Sequence, residues 1–107
     1  EDLCSRANEL GSRLKQRLEQ IRDKMPEIAE IRGPGFMVAI ELMQDGKPAP
    51  ELTKAVQAEA LSRGLLLLSC GVYGNVIRFL APITIPDAQM SQALDILEEA
   101  MLAAKGA

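Results

Sequence analysis

The chain has 107 residues, 12 Lys and Arg against 15 Asp and Glu, and no His, for a formal net charge of −3. At 48% hydrophobic and 25% charged it has the make-up of one ordinary globular domain, which argues against disorder or a collagen-like repeat. The acidic balance and the three aromatic residues provide neither a basic stripe for phosphates nor a stacking surface for bases, so nucleic acid is not an expected partner.

The absence of His excludes imidazole general-base chemistry, Ser-His-Asp and Cys-His nucleophiles and His metal ligands within this chain. Cys4 and Cys70 are too few and too far apart for a metal knuckle, and are expected to be thiols in a reducing cytosol. The longest apolar stretch, Phe36 to Met43, is interrupted by Glu41 and falls far short of a membrane span, and no signal-peptide pattern opens the chain. With no initiating Met and a helical pattern already running at Leu3, the sequence is expected to be a piece of a longer protein.

In chain order, Leu3, Ala7, Leu10, Leu14, Leu18, Ile21 and Met25 recur at spacings of three and four. They predict an amphipathic helix that Pro26 stops, with Arg13, Arg17, Lys24 and their charged neighbours on a solvated face. Ile28 to Arg32 predicts a short strand, and Gly33-Pro34-Gly35 a sharp bend. Phe36 to Met43 alternates as a strand with one buried face, and Gln44 to Pro48 predicts an exposed loop with an Asp-Gly turn. Leu52, Ala55, Val56, Ala60 and Leu61 predict a second helix closed at Gly64.

Leu65 to Leu68 predicts a buried strand, Cys70 to Asn75 a glycine-rich connection, and Val76 to Ala81 a further strand. Thr84-Ile85-Pro86-Asp87 predicts a helix start with Thr84 as N-cap. Met90, Ala93, Leu94, Leu97, Met101 and Ala104 form the helix's inner face, and Lys105-Gly106 its end. The order α-β-β-α-β-β-α implies an α+β domain: a sheet of about four strands, mixed or antiparallel, with helices on one face.

Arg78 stands out, because its strand neighbours Val76, Ile77, Phe79 and Leu80 suggest that both faces are at least half buried. A buried guanidinium there needs a carboxylate or phosphate partner, and its planar fork suits a carboxylate best; the side chain either snorkels to solvent from near the strand end, pairs internally with Glu41 or another acid, or meets a ligand. The glycine-rich segments Gly33 to Gly35 and Gly71 to Gly74 match neither the P-loop nor the dinucleotide-binding spacing and are read as turns, with Tyr73 as a loop anchor. Lys15, Lys24, Lys47, Lys54 and Lys105 have polar neighbours, and none is placed like a Schiff-base lysine. No catalytic, cofactor-binding or metal-binding residue is assigned.

The run Leu65 to Leu80, with Cys70-Gly71-Val72-Tyr73-Gly74-Asn75-Val76-Ile77-Arg78 at its centre, continues through Pro82 and Thr84-Ile85-Pro86-Asp87-Ala88-Gln89. It closely resembles the C-terminal part of bacterial 4-aminobutyrate aminotransferases. Ile31-Arg32-Gly33-Pro34-Gly35-Phe36-Met37 followed by Ala39-Ile40-Glu41 resembles the same family in the right order. The resemblance covers essentially the whole chain.

It implies the C-terminal small domain, residues 1–107, of a fold-type I, class III enzyme. Such an enzyme uses pyridoxal phosphate and moves the amino group of 4-aminobutyrate to 2-oxoglutarate in a ping-pong cycle, giving succinic semialdehyde and glutamate. Arg78 matches the arginine that binds the α-carboxylate of glutamate or 2-oxoglutarate. The Schiff-base lysine and cofactor contacts belong to a large domain absent here, so the isolated chain is expected to be inactive and to hold no cofactor.

Further expectations are a cytoplasmic, homo-oligomeric parent and some self-association of the isolated chain through uncovered apolar surface. The alternatives are another ω-amino-acid or ornithine-type aminotransferase of class III, and a free-standing regulatory module that binds a small carboxylate through Arg78.

Overall fold

Pro26 ends the first helix as its missing N–H requires: α1 runs Leu3–Lys24 in the computed structural model, which describes residues 3–71, 73–79 and 84–106. From Ala7 on, the predicted stripe is its inner face, with Leu10, Leu14, Leu18, Ile21 and Met25 fully or almost fully buried; the Leu3 side chain lies outside the described residues. The strands β1 (Ile28–Arg32) and β2 (Ala39–Gln44) pair antiparallel, and a bulge between Ile28 and Glu30 lets Ile28 face the core with Ile31 while Glu30 and Arg32 share the other face. The segment before β2 is irregular rather than extended, so this strand starts at Ala39 and not at Phe36. A turn in which the Met37 N–H donates to the Pro34 carbonyl occupies the bend.

The predicted loop after β2 is a tight hairpin. Asp45 and Gly46 have φ of 54° and 75°, the pair of left-handed residues that a type I′ turn needs, and Lys47–Pro48 forms a short β3 against Met43 and Gln44. Helix α2 (Pro50–Ser62) buries Leu52, Thr53, Val56 and Ala60. It closes as a Schellman motif: Gly64 takes φ of 89°, its N–H donates to the Leu61 carbonyl, and the Leu65 N–H donates to the Ala60 carbonyl. Leu61, placed on the inner stripe by spacing, is instead exposed, and the adjacent Ala60 takes the buried position in the last turn of α2.

Strand β4 (Leu67–Cys70) starts two residues later than predicted, and only Leu65 and Leu67 of the four leucines are buried. Leu66 and Leu68 face outward because the helices cover one face of the sheet only. Strand β5 (Val76–Phe79) lies between β2 and β4; Leu80 and Ala81, expected to extend it, lie outside the described residues, as does Val72 of the preceding connection. The sheet order is β1-β2-β5-β4 with every neighbouring pair antiparallel, and α2 carries the chain from β2 past the position of β5 to the β4 edge.

Helix α3 (Asp87–Gly106) packs along α2 and against α1, burying Met90, Leu94, Leu97, Ala100, Met101 and Ala104. Its start differs from the prediction. Thr84 lies in a turn ahead of the helix, and the Pro86 carbonyl accepts the first helical bond, from Met90. Proline offers no capping oxygen, so the carboxylate of Asp87 in the first turn complements this end, and Arg6 ties it to α1, donating to the Ile85 carbonyl at 2.7 Å and pairing with Asp87 at 2.9 Å. The Arg6 guanidinium is held above its ordinary value by its bond to Glu9 first and to Asp87 second.

The face of α1 read as solvated in fact bridges to α3. Arg13 reaches Asp87 at 3.2 Å, Arg17 reaches Asp95 at 2.9 Å and Glu98 at 3.2 Å, and Lys24 reaches Glu98 at 3.1 Å. Spacing along one helix places these charges but does not reveal a partner helix some 80 residues away. Arg17→Gln is expected to lower stability by about 1 kcal/mol in dilute buffer, and the difference is expected to vanish in molar salt, where such pairs are screened. Urea melts of both proteins at low and high salt check it; equal losses at both would overturn an electrostatic role.

Candidate functional site

Beneath the sheet, Leu14, Leu18, Val38, Ile40, Leu67, Ile77, Phe79 and Leu97 enclose a void of only about 10 Å³. No ligand fits there. The opposite face of the sheet, which the helices leave open, presents its strand side chains to solvent.

Cross-strand partners share a face, and the register gives the open face two adjacent rows. One row runs Arg32, Ala39, Arg78, Leu68 across β1, β2, β5 and β4, and the next runs Glu30, Glu41, Val76, Cys70. Ile40 and Ile77 occupy the helix-covered side between them, so the period of two turns Arg78 to the open side.

Arg78 is exposed, which corrects the expectation that both faces of this strand are half buried; Val76, on the same face, is 6% exposed and does fit it. Exposure relieves the desolvation demand, since water serves an open guanidinium. Among the described residues Arg78 has no ion pair and no side-chain hydrogen bond, and neither has Glu41, although the register sets the two diagonally on one face. The internal partner considered for Arg78 is therefore not engaged. Arg32 differs: it is bound to Glu30 at 2.6 Å.

Two residues of this sheet, Arg32 on the open face and Asn75 at the approach to β5, were not legible beforehand. Arg32 joins the row of Arg78 only through strand pairing. Asn75, which its glycine-rich context suggests is an ordinary turn residue, is 3% exposed and hydrogen-bonded across to β2. Tyr73 is exposed at 66%, so the expected anchoring by this ring is not seen among the described residues. Cys70 is a half-buried free thiol.

The described residues do not fit a pyridoxal phosphate holder. Lys24, Lys47, Lys54 and Lys105 are exposed and Lys15 is half-buried on α1, so no lysine lies in the enclosed apolar setting a Schiff base needs. Among the described residues no cluster of His, Cys, Asp and Glu is suited to a metal, and no helix is long and apolar enough to cross a membrane. What the open face offers is a planar cation, without an ion pair among the described residues, beside Ala39, Leu68 and Val76 and diagonal to Glu41, which suits the carboxylate of an external molecule.

The chain is 49% identical over 108 aligned positions to the 4-aminobutyrate aminotransferase GabT of Escherichia coli, covering 98% of this chain and 25% of that protein. It is 51% identical to the 5-aminovalerate aminotransferase DavT of Pseudomonas aeruginosa, covering 92% of this chain and 24% of that protein. It thus spans about a quarter of the length of these relatives.

Among solved structures, a phospholyase from Arthrobacter in complex with phosphoethanolamine superposes with a TM-score of 0.86 at 28% identity, covering 95% of this chain and 25% of that one. An ornithine aminotransferase from Toxoplasma gondii superposes with a TM-score of 0.82 at 27% identity, covering 97% and 24%. Residues 1–101 match the family described as aminotransferase class-III, and this chain belongs to that family.

Proposed function

We propose that the chain is the C-terminal small domain of a pyridoxal-phosphate-dependent 4-aminobutyrate:2-oxoglutarate aminotransferase, and that Arg78 grips the carboxylate of glutamate or 2-oxoglutarate. The observation that carries this is the unpaired Arg78 in the middle of the open sheet face. A large domain of the same polypeptide supplies the lysine and the phosphate contacts that these residues do not, and it also covers outward-facing apolar side chains such as Leu68, 46% exposed here. The amino acid and oxo acid substrates meet this wall across the cleft between the two domains. The parent is a cytoplasmic homo-oligomer, and the isolated chain is inactive.

The 51% identity to a 5-aminovalerate aminotransferase supports a second donor, one methylene longer, in the same site.

Mass spectrometry of the native polypeptide that contains the Gly71 to Arg78 peptide, after borohydride treatment, tests the proposal. The expected species is several-fold heavier than 11.6 kDa and carries a pyridoxyl group on a lysine outside this segment. A native species of about 11.6 kDa would overturn it in favour of a free-standing carboxylate-binding module.

A further inference from the structure

Asn75 directly precedes β5, and its bonds to β2 are unusual. The Leu42 N–H donates to the Asn75 carbonyl at 2.9 Å, and the Asn75 side-chain amide, rather than its backbone, makes the return bond to the Leu42 carbonyl at 3.0 Å. The same carbonyl accepts from the Ala49 N–H at 3.1 Å, so one oxygen ties together β2, the start of α2 and the approach to β5. At 3% exposure this is a desolvated polar contact, whose amide has few alternative partners.

Hydrophobic alternation does not by itself fix where β5 sits on β2. A slip of one residue is excluded, because it would drive Arg78 into the helix-covered core. A slip of two residues, about 7 Å along the strand, keeps every side chain on its own face. It would set Ile77 against Leu42 and Phe79 against Ile40, both apolar matches, and would bring Arg78 directly opposite Glu41 instead of Ala39. There the guanidinium would find a carboxylate of its own chain and cease to be available. Asn75 opposes that slip, since its two bonds to Leu42 are made in the observed register alone.

We infer that Asn75 is a positioning residue for Arg78: its side-chain amide holds β5 in the register that keeps the guanidinium away from Glu41 and open to a carboxylate ligand. The inference rests on the carboxylate role proposed for Arg78. Its test uses the full-length, cofactor-loaded enzyme and follows each half-reaction separately, with 2-oxoglutarate and with 4-aminobutyrate.

Asn75→Ala is expected to lower kcat/KM for 2-oxoglutarate about tenfold while the value for 4-aminobutyrate stays within twofold. Adding Glu41→Gln is expected to restore most of the loss, which a general structural defect would not allow. Should Asn75→Ala fail to fold, Asn75→Leu, which keeps the volume and lacks the donor, is read by the same criteria. An unchanged 2-oxoglutarate value, or an equal fall in both half-reactions that Glu41→Gln does not relieve, overturns the inference. Arg78→Ala run alongside separates the two ideas. If it leaves 2-oxoglutarate unaffected, the carboxylate role falls and this inference with it; if it abolishes 2-oxoglutarate use while Asn75→Ala does not impair it, only the positioning role falls.

Discussion

Gly11→Ala is expected to destabilise the chain by about 3 kcal/mol, although alanine is the better helix former at an ordinary position by about 1 kcal/mol. The sign reverses because of what lies opposite. A Cβ built on Gly11 falls 1.8 Å from the Gly35 carbonyl oxygen and 2.6 Å from its carbon, and both are backbone atoms that no rotamer change can move. Either α1 lifts from the Gly33-Pro34-Gly35 bend or the bend shifts away from α1. In both cases Leu10 and Leu14, fully buried beside the contact, lose packing. Urea unfolding measures the loss, with Gly106→Ala as control: Gly106 also lies in a helix but has nothing within 4 Å, so its substitution is expected to be close to neutral. Equal midpoints for Gly11→Ala and the parent chain would mean that α1 and the bend do not touch in solution.

Arg78→Ala, in the full-length enzyme, is expected to reduce kcat/KM for 2-oxoglutarate about a hundredfold, close to 3 kcal/mol, the value of a lost charge-assisted bond to a carboxylate. Arg78→Lys is expected to fall between, at roughly tenfold, because an ammonium keeps the charge but cannot make two parallel bonds. The graded series separates recognition from bulk electrostatics. If lysine restored full activity, the forked geometry would be irrelevant and the site would be a simple positive patch. Because Arg78 is exposed and has no partner among the described residues, neither substitution is expected to change the unfolding free energy measured in urea by more than about 0.5 kcal/mol. A larger shift would point to a structural role instead.

Much of this could be read from residue order. The spacing from Ala7 to Met25, the stop at Pro26, the strand at Ile28 to Arg32, the left-handed close at Gly64 and the inner face of α3 all follow from local periodicity and backbone chemistry. Those rules act between residues a few positions apart, and the structure bears them out. The α+β layering followed from element order alone, and Arg78 was identifiable because a strand arginine flanked by Val76, Ile77 and Phe79 has no local explanation.

Long-range pairing decided the rest. Lys47–Pro48 became a strand only because Met43 and Gln44 were there to pair with it. The charges of α1 found α3, and Leu66 and Leu68 faced outward because the helices cover one side of the sheet. Whether Arg78 would be buried, paired with Glu41 or left open depended on which strand lay beside β5 and in which register. Alternation excludes odd slips but leaves even ones possible, so that choice fell to a buried amide, Asn75, bonding across 33 residues of sequence to the Leu42 carbonyl. The sequence by itself determined the elements and singled out the cation; only the tertiary structure set that cation on the open face of the sheet, with no ion pair among the described residues.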